Sequence, residues 1–396
     1  MNIAVVGGAG LTGQCAVKDL LRSSKVSRVL VADNDEGSLA ELKNNLKREG
    51  TNEKVEFSKT DVRNAAETSS KLRGFDVVIN AVQYYHNLEV MEAALRAEVN
   101  YLDFGGLYYK TLEQIQRFDG RFKAAGLLAV VGIGAQPGIS NLMVKQGLKS
   151  FKRADSVEIL DGWRDNTKSD SPLYFTWSPL TLFDESTQDA IVFENGKYLK
   201  KPPFSEPETV VFPKPVGEVT VYLALHSELA TVPSSFAHYG LKRVVWKEGG
   251  ADFWKIKFLA ELGLTSNERV NYNGHEVIPR NFLLQLLTSR NLLKIPKHLE
   301  PDDFEITRVI IKGRSIRSGR KKTVVLESFF PAYKPWKVSC SQYNVGIPGS
   351  IAAQLIALKK ELLPKGVLPP EKVFEPVEFF KELEKRGIKV RQKTLE

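Results

Sequence analysis

Cysteine is scarce in this chain, with only Cys15 and Cys340 among 396 residues. That excludes a disulfide framework and a four-thiolate zinc site. Histidine is scarce as well. The five histidines, His86, His226, His238, His275 and His298, form no i,i+4 pair and none neighbours a cysteine, so no metal site is expected. No run of 18 apolar residues exists to cross a bilayer. The opening MNIAVVGGAG has no basic stretch ahead of its apolar run. The expectation is therefore a cytoplasmic protein with no export signal and no membrane partner. Internal repeats and low-complexity tracts are also missing.

What is present is ordinary globular material. Hydrophobic residues make up 42% and charged residues 26%, which excludes wholesale disorder. The length suits two or three domains, each able to bury a core without covalent staples. Lys+Arg 56 against Asp+Glu 47 leaves a net charge of +9, which suits anionic partners such as a nucleotide. Lys312, Arg314, Arg317, Arg320, Lys321 and Lys322 form a basic stretch without an acid. It lies in a Gly/Ser-containing connection without aromatics, so it reads as a hairpin loop and no nucleic-acid partner is expected.

Through the first 160 residues, short β-branched runs alternate with helical patterns. Strand candidates are Ile3–Gly7, Arg28–Ala32, Val55–Phe57, Val77–Asn80, Tyr101–Leu102 and Leu127–Val131. Helix candidates are Leu11–Arg22, Glu36–Arg48, Ala65–Leu72, Leu88–Ala97 and Leu112–Ala125. Strands separated by helices mean βαβ units and a parallel sheet. IAVVG does not alternate with polar residues, as suits a central strand covered on both faces. From about Val157 the texture becomes that of an α+β domain. Strand-like runs fall at Thr209–Phe212, Glu218–Ala224, Thr307–Lys312 and Thr323–Phe330, and helical ones at Phe253–Leu262 and Arg280–Leu292. The end returns to helix at Ser350–Leu363 and Pro376–Lys385. The fold class is thus α/β, a doubly wound parallel sheet followed by an α+β domain. The expected division is 1–140 with 340–396, and 141–339.

The strongest chemical signal is Gly8-Ala9-Gly10-Leu11-Thr12-Gly13, a GxGxxG between the first strand and first helix. The first glycine permits the tight turn, the second a close approach to a diphosphate, and the third helix–strand packing. Asp33 ends the second strand 20 residues after Gly13, where a carboxylate binds a ribose diol and repels a 2′-phosphate. NAD is therefore expected, and NADP less so. Asp61, ending the third strand, suits a place beside the adenine or a helix N-cap. Asn80, Ala81 and Gln83 follow the fourth strand, on the carboxyl edge where doubly wound sheets bind ligands. Tyr84, Tyr85 and His86 come next, as ligand contacts or as packing over that edge. Asp103 ends the fifth strand, and the loop Gly132–Gly138, with Gln136, follows the sixth.

Together these motifs resemble the saccharopine dehydrogenase-like family, most closely its lysine 6-dehydrogenase branch. The segments that carry the resemblance are GGAGLTG, INAVQYYHN, NYLDFGG, GIGAQPGISNLM, PLYFTWSPLTLFDES, FENGK, FWKIKFLAELG, VGIPGSIAAQLIA and GVLPPE. The resemblance implies an N-terminal Rossmann domain and an α+β substrate domain whose sheet helps form a homodimer. It also implies C-terminal helices that return to the first domain, and a place in lysine or other amino-acid metabolism. Two segments depart from the family pattern. No arginine directly precedes Trp246, Arg243 standing three positions before it, and a usual Thr-Gly-x-Pro reads Val345-Gly346-Ile347-Pro348.

The expected function is NAD-dependent oxidation of a CH–NH bond of an amino acid by hydride transfer through an imine. An ammonium carbon cannot release hydride, so a base must hold the amine neutral. Asp103 is the first candidate, with Glu185 and Tyr85 also expected in the catalytic group. Trp177, beside Tyr174 and Phe175, would wall the pocket and favour a cationic amine. Arg243, or alternatively Arg164 or Lys242, would hold the substrate carboxylate, and Gln136 would contact substrate. One interdomain cleft lined by Tyr85, Asp103, Gln136, Trp177 and Arg243 is expected. Two alternatives stay open: reductive condensation of the saccharopine reductase or carboxynorspermidine dehydrogenase type, and a non-catalytic NAD-binding sensor.

Overall fold

A computed structural model describes residues 1–396 except 52, 170, 172, 251, 294–298 and 396. Pro172 of the PLYFTWSP segment and His298 thus lie outside the described residues. The chain packs into two compact units. One comprises Met1–Lys149, Ala230–Ser235 and Gln342–Lys389, and the other Ser150–Leu229, Phe236–Ser341 and Val390–Glu396.

The first unit is built on β1 (Asn2–Val6), α1 (Gly13–Arg22), β2 (Arg28–Asp33), α2 (Glu36–Arg48), β3 (Val55–Lys59), α3 (Ala65–Leu72) and β4 (Val77–Asn80). It continues through α4 (Asn87–Ala97), β5 (Asn100–Asp103), α5 (Leu107–Ala124), β6 (Leu128–Val130) and α6 (Ile139–Leu148). The strands form a parallel sheet in the order β3-β2-β1-β4-β5-β6, closed by Gly366–Leu368 from the C-terminal part of the chain. Ile3, Ala4, Val5 and Val6 are all buried, as a strand covered on both faces requires. α1 packs Cys15, Ala16, Val17, Leu20 and Leu21 inward. It starts two residues later than the apolar pattern suggests, because residues 10–12 belong to the turn. The order of strands reverses between β1 and β4, and at such a switch point loops diverge and leave a crevice at the carboxyl edge. Val6 pairs with Ala32 and Asn80, and Asn80 with Asp103, so those strand ends lie in one row.

The second unit begins with β7 (Phe151–Asp165), α7 (Pro179–Thr187), β8 (Ala190–Glu194), β9 (Lys197–Lys201), β10 (Glu208–Val211) and β11 (Glu218–Leu223); the helix α8 (Glu228–Ser235) comes next, and from Ala230 on it belongs to the first unit. β12 (Arg243–Gly250), α9 (Phe253–Glu261), β13 (Val270–Tyr272), β14 (His275–Val277), α10 (Pro279–Ser289), β15 (Asp303–Ser315) and β16 (Lys321–Pro331) follow. Its large sheet runs β10-β11-β12-β7-β15-β16 and then Lys389–Leu395, with β8 and β9 beside β12. β12 and β7 are parallel, while β15 runs antiparallel to β7. Neither β7 nor β12 is apparent from the sequence, although they are the middle of the sheet. Both carry acids on the face that is buried, and this breaks the apolar alternation by which strands are recognised.

Register explains how those acids meet. Trp246, Glu248 and Gly250 of β12 lie opposite Ile159, Asp161 and Trp163 of β7. Val309, Thr307, Glu305 and Asp303 of β15 lie opposite Ile159, Asp161, Trp163 and Asp165. Side chains alternate along a strand, so all of these residues share one face. The other face is apolar, with Leu160, Val210, Phe212, Val219, Val221 and Ile306 forming a core cluster. A Cβ on Gly162 would come within 2.4 Å of the Phe212 ring, so only glycine lets that ring lie on the strand.

Candidate active site

In the first unit the glycine turn is closed tightly. Gly7 donates to Ala32 O at 2.8 Å and Gly10 to Gly7 O at 3.1 Å. A Cβ on Gly13 would stand 2.3 Å from Gly7 O, so any other residue there would push helix and turn apart. Thr12, the N-cap of α1, makes no side-chain cap bond, and no acid occupies the first turn. The helix N-terminus is thus left to an incoming anion. Asp33 lies across the turn, with Oδ2 accepting from Ala9 N at 3.1 Å and Oδ1 from Asp35 N at 3.2 Å. This arrangement fits a dinucleotide, with turn amides for the diphosphate and a fixed carboxylate for a ribose diol. Leu11 is exposed at the tip and Thr12 is half-buried.

Asp61 is tied to Arg63, whose Nη2 lies 2.6 Å from its Oδ2. That guanidinium, with the Arg63 backbone N–H, lowers the Asp61 carboxyl to about 2. The cap of α3 is Asn64, which accepts from Glu67 N at 3.2 Å, so the N-cap alternative for Asp61 falls away.

Along the carboxyl edge, Asn80 Nδ2 donates to Asn87 Oδ1 and Tyr101 Oη, both at 2.9 Å. Asp103 is the centre of this network and is 1% exposed. Its Oδ2 accepts from Gln114 Nε2 at 2.6 Å, Tyr101 Oη at 2.9 Å and Asn87 Nδ2 at 3.3 Å. Its Oδ1 accepts from the backbone N–H of Gly132 at 2.7 Å and Gly105 at 2.9 Å. Burial pushes the Asp103 carboxyl upward, and the donors, Gln114 foremost, pull it back only in part. The network brings Asp103 together with the Gly132–Gly138 loop that carries the half-buried Gln136. Ala81 packs on the glycine turn, since a Cβ on Gly7 would meet its carbonyl carbon at 2.7 Å. Gln83 O accepts from His86 N at 3.0 Å, and the exposed Tyr85 stacks on Tyr84 with ring centroids 4.3 Å apart.

The second unit holds a cluster that the sequence reading did not anticipate beyond Glu185. Asp161, Glu185, Glu228, Glu248 and Glu305 are all buried, together with His226. Burial, and then the charge of its neighbours, raises the carboxyls of Asp161 and Glu185 well above the usual range; burial also raises that of Glu248. His226 Nδ1 shares a hydrogen bond with Glu228 Oε2, and its Nε2 faces Glu185 Oε1 at 4.0 Å. The imidazole lies flat on the Trp246 indole, centroids 3.9 Å apart and planes 8° from parallel. Trp246 Nε1 in turn donates to Glu248 Oε2 at 3.3 Å. Burial lowers the His226 pKa, but Glu228, Glu248 and Glu305 outweigh it and leave the ring easier to protonate than usual. Within this cluster the buried Glu185 Oε2 and Glu248 Oε1 have no hydrogen-bond partner among the described residues.

Models of the saccharopine dehydrogenase NADP binding domain and of the saccharopine dehydrogenase C-terminal domain match residues 3–130 and 134–388. The chain belongs to the saccharopine dehydrogenase family. A carboxyaminopropylagmatine dehydrogenase of Synechocystis is 24% identical over 346 residues, covering 85% of this chain and 84% of that one. A carboxynorspermidine synthase of Vibrio cholerae is 24% identical over 396 residues, covering 94% and 92%. Apo saccharopine dehydrogenase (L-Glu forming) of Saccharomyces cerevisiae shares the fold, with a TM-score of 0.74 at 17% identity over all of both chains. This family member is an NAD(P)-dependent dehydrogenase acting on amino-containing substrates. Among its described residues no cluster of His, Cys, Asp and Glu suits a metal ion, and no helix is long and apolar enough to cross a membrane.

Of the five residues expected to line a cleft, Tyr85, Asp103 and Gln136 belong to the first unit and Trp177 and Arg243 to the second. Trp177 is half-buried against the Phe175, Leu182 and Phe183 cluster. Arg243 is taken up by Glu194 and by Glu206, the latter at 2.6 Å. Arg164 donates to Val216 O at 2.7 Å. The residues missed are Asp161, His226, Glu228, Trp246, Glu248 and Glu305. His226-x-Glu228 and Trp246-x-Glu248 share an i,i+2 spacing, a signal that gains meaning only once both are set against β7.

Proposed function

We propose that the chain makes or breaks the C–N bond between a cationic amine and a carboxyl-bearing carbon chain, by NAD-linked hydride transfer at an iminium. The observation that carries this reading is the buried acid face of β7, β12 and β15. Burial raises the carboxyls of Asp161, Glu185 and Glu248 and so disfavours their unpaired negative charge, and an ammonium placed among them supplies the opposite charge that burial demands. Arg243 and Arg280 are both committed to acids of the chain itself. Arg280 lies 2.6 Å from Asp184.

Asp161, Glu185 and Glu248 bind and orient the ammonium. The 4.0 Å between His226 Nε2 and Glu185 Oε1 is too long for a hydrogen bond, yet a substrate nitrogen about 2.9 Å from each would bridge them. His226, steadied by Glu228, takes the ammonium proton so that the free amine can attack a carbonyl. It returns that proton to the hydroxyl of the adduct, which leaves as water and yields the iminium. The nicotinamide supplies hydride to the iminium carbon when bound. Asp103, with five donors on its two oxygens, holds the loops of the carboxyl edge in place. The Asp33 carboxylate favours NAD, and the one lysine paired opposite it, Lys59, is 3.0 Å from Glu36.

The test follows NADH absorbance with carboxynorspermidine, carboxyaminopropylagmatine, lysine and saccharopine. Turnover is expected with the carboxyalkylated amines. Turnover with lysine or saccharopine alone overturns the reading, and tighter binding of NADPH than NADH overturns the role of Asp33.

A further inference from the structure

We infer that Asn344 is a ligand for the carboxamide of the nicotinamide ring, an inference that rests on dinucleotide binding by the first unit. Asn344 is 1% exposed, and neither its Nδ2 nor its Oδ1 has a hydrogen-bond partner. It lies in the helix Cys340–Lys359, which contains Pro348. Proline has no N–H, so the Asn344 carbonyl also lacks the donor four residues on that a regular helix would provide. One buried residue therefore offers a primary amide and a carbonyl with no partner for the amide. Buried polar groups are almost always satisfied, so such an exception needs a reason.

The helix's neighbours say where that residue stands. A Cβ on Gly346 would come within 2.7 Å of Thr12 O and of Cys15 Cβ. Ser350 Oγ donates to Asp19 Oδ2 at 2.6 Å. Positions 346 and 350 thus follow positions 12–15 and 19 in the same direction, so the helix runs parallel to α1. At ~1.5 Å per residue, Asn344 lies ~3 Å before Gly346 along the axis. That takes it past Thr12, the N-cap of α1, to the side the turn amides face. Val345 touches Gly134 after β6, and Gly349 lies against Phe104 after β5, since Cβ atoms added to the two glycines would be 3.0 and 2.4 Å from these side chains. Asn344 is therefore lodged beside the carboxyl ends of β1, β5 and β6. In a doubly wound sheet the adenosine half lies by β2, and the other half reaches toward the later strands.

The chemistry selects the group. A carboxamide offers two N–H donors and an acceptor, and so does the Asn344 side chain. Two such amides pair donor to acceptor, and the second carboxamide N–H can reach the Asn344 carbonyl. A diphosphate only accepts, and would leave Oδ1 and the carbonyl facing negative oxygens.

The experiment compares binding of NADH, by its fluorescence, with binding of ADP-ribose, by calorimetry, to wild-type protein, Asn344→Leu and Asn344→Asp. ADP-ribose carries the same adenosine and diphosphate without the nicotinamide ring. We expect NADH to bind at least tenfold more weakly to both variants, while ADP-ribose affinity stays within twofold. The apo Asn344→Leu protein should melt no lower than wild type, because an unsatisfied amide has been removed. Should leucine prevent folding, the nearly isosteric aspartate gives the same comparison. Equal loss of both ligands, or unchanged NADH affinity, overturns the inference. A wild-type chain that binds neither ligand overturns the dinucleotide reading itself.

Discussion

Both oxygens of Asp103 are occupied by groups of the chain itself: Gln114, Tyr101 and Asn87 on one side, Gly132 and Gly105 on the other. In Asp103→Asn one oxygen becomes an N–H donor facing other donors, leaving buried groups unmatched. The expected cost is ~2–4 kcal/mol, read from the urea midpoint; an unchanged midpoint would contradict the bracing role. The segment NYLDFGG does show a polar residue at a strand end in the sequence. What it does not show is where the partners come from. Asn87 and Gln114 start from different helices and meet Asp103 only after the sheet has formed. Gly8, Gly10, Gly13 and Asp33 were legible for the opposite reason, because local backbone rules confine a strand–turn–helix to few shapes.

At the scale of the element, the acid face depends on β12 having glycine where β11 crosses it. A Cβ on Gly249 would fall 2.0 Å from Thr220 O and 3.0 Å from Val221 Cα, both backbone atoms that cannot rotate away. Among the described residues β11 pairs with β12 through Tyr222–Glu248 and Leu223–Lys247, next to that glycine. Gly249→Ala should therefore force these strands apart, at ~1–3 kcal/mol, seen as a lower thermal midpoint together with weaker amine binding. An alanine variant as stable as wild type would show that the crossing is looser than the geometry implies. The α/β order of the first unit could be read from periodicity, since each buried strand is an unbroken apolar run. β7 and β12 escaped that reading because Asp161 and Glu248 point inward, where the pattern expects apolar side chains. Sequence reasoning failed at the two strands whose buried acids break the apolar pattern.

For the whole molecule, pH is the lever that exposes these buried groups. Asp161, Glu185 and Glu248 have carboxyls raised above their unfolded values, and burial pushes Asp303 to about 6. The folded state thus holds these protons more tightly than the unfolded state. The stability they contribute is complete below the ordinary carboxylate range and is lost as pH rises through the raised values. His226, whose pKa is also raised, acts in the same sense. We expect the melting midpoint of the apo protein to fall from about pH 5 toward pH 8, and Glu185→Gln to fall less. Norspermidine should restore the wild-type midpoint more at pH 8 than at pH 6 and do little for the variant. A midpoint in the wild type that is flat across that range would contradict the assignment.

The formal charge of +9 counts every Asp and Glu as ionised, so each proton kept on the acid face makes the folded molecule more positive than its composition states. A diamine that enters by displacing two of those protons brings in as much charge as it expels. Its docking would leave electrophoretic mobility nearly unchanged while acidifying an unbuffered solution. A basic protein could then admit a basic substrate without opposing its own field.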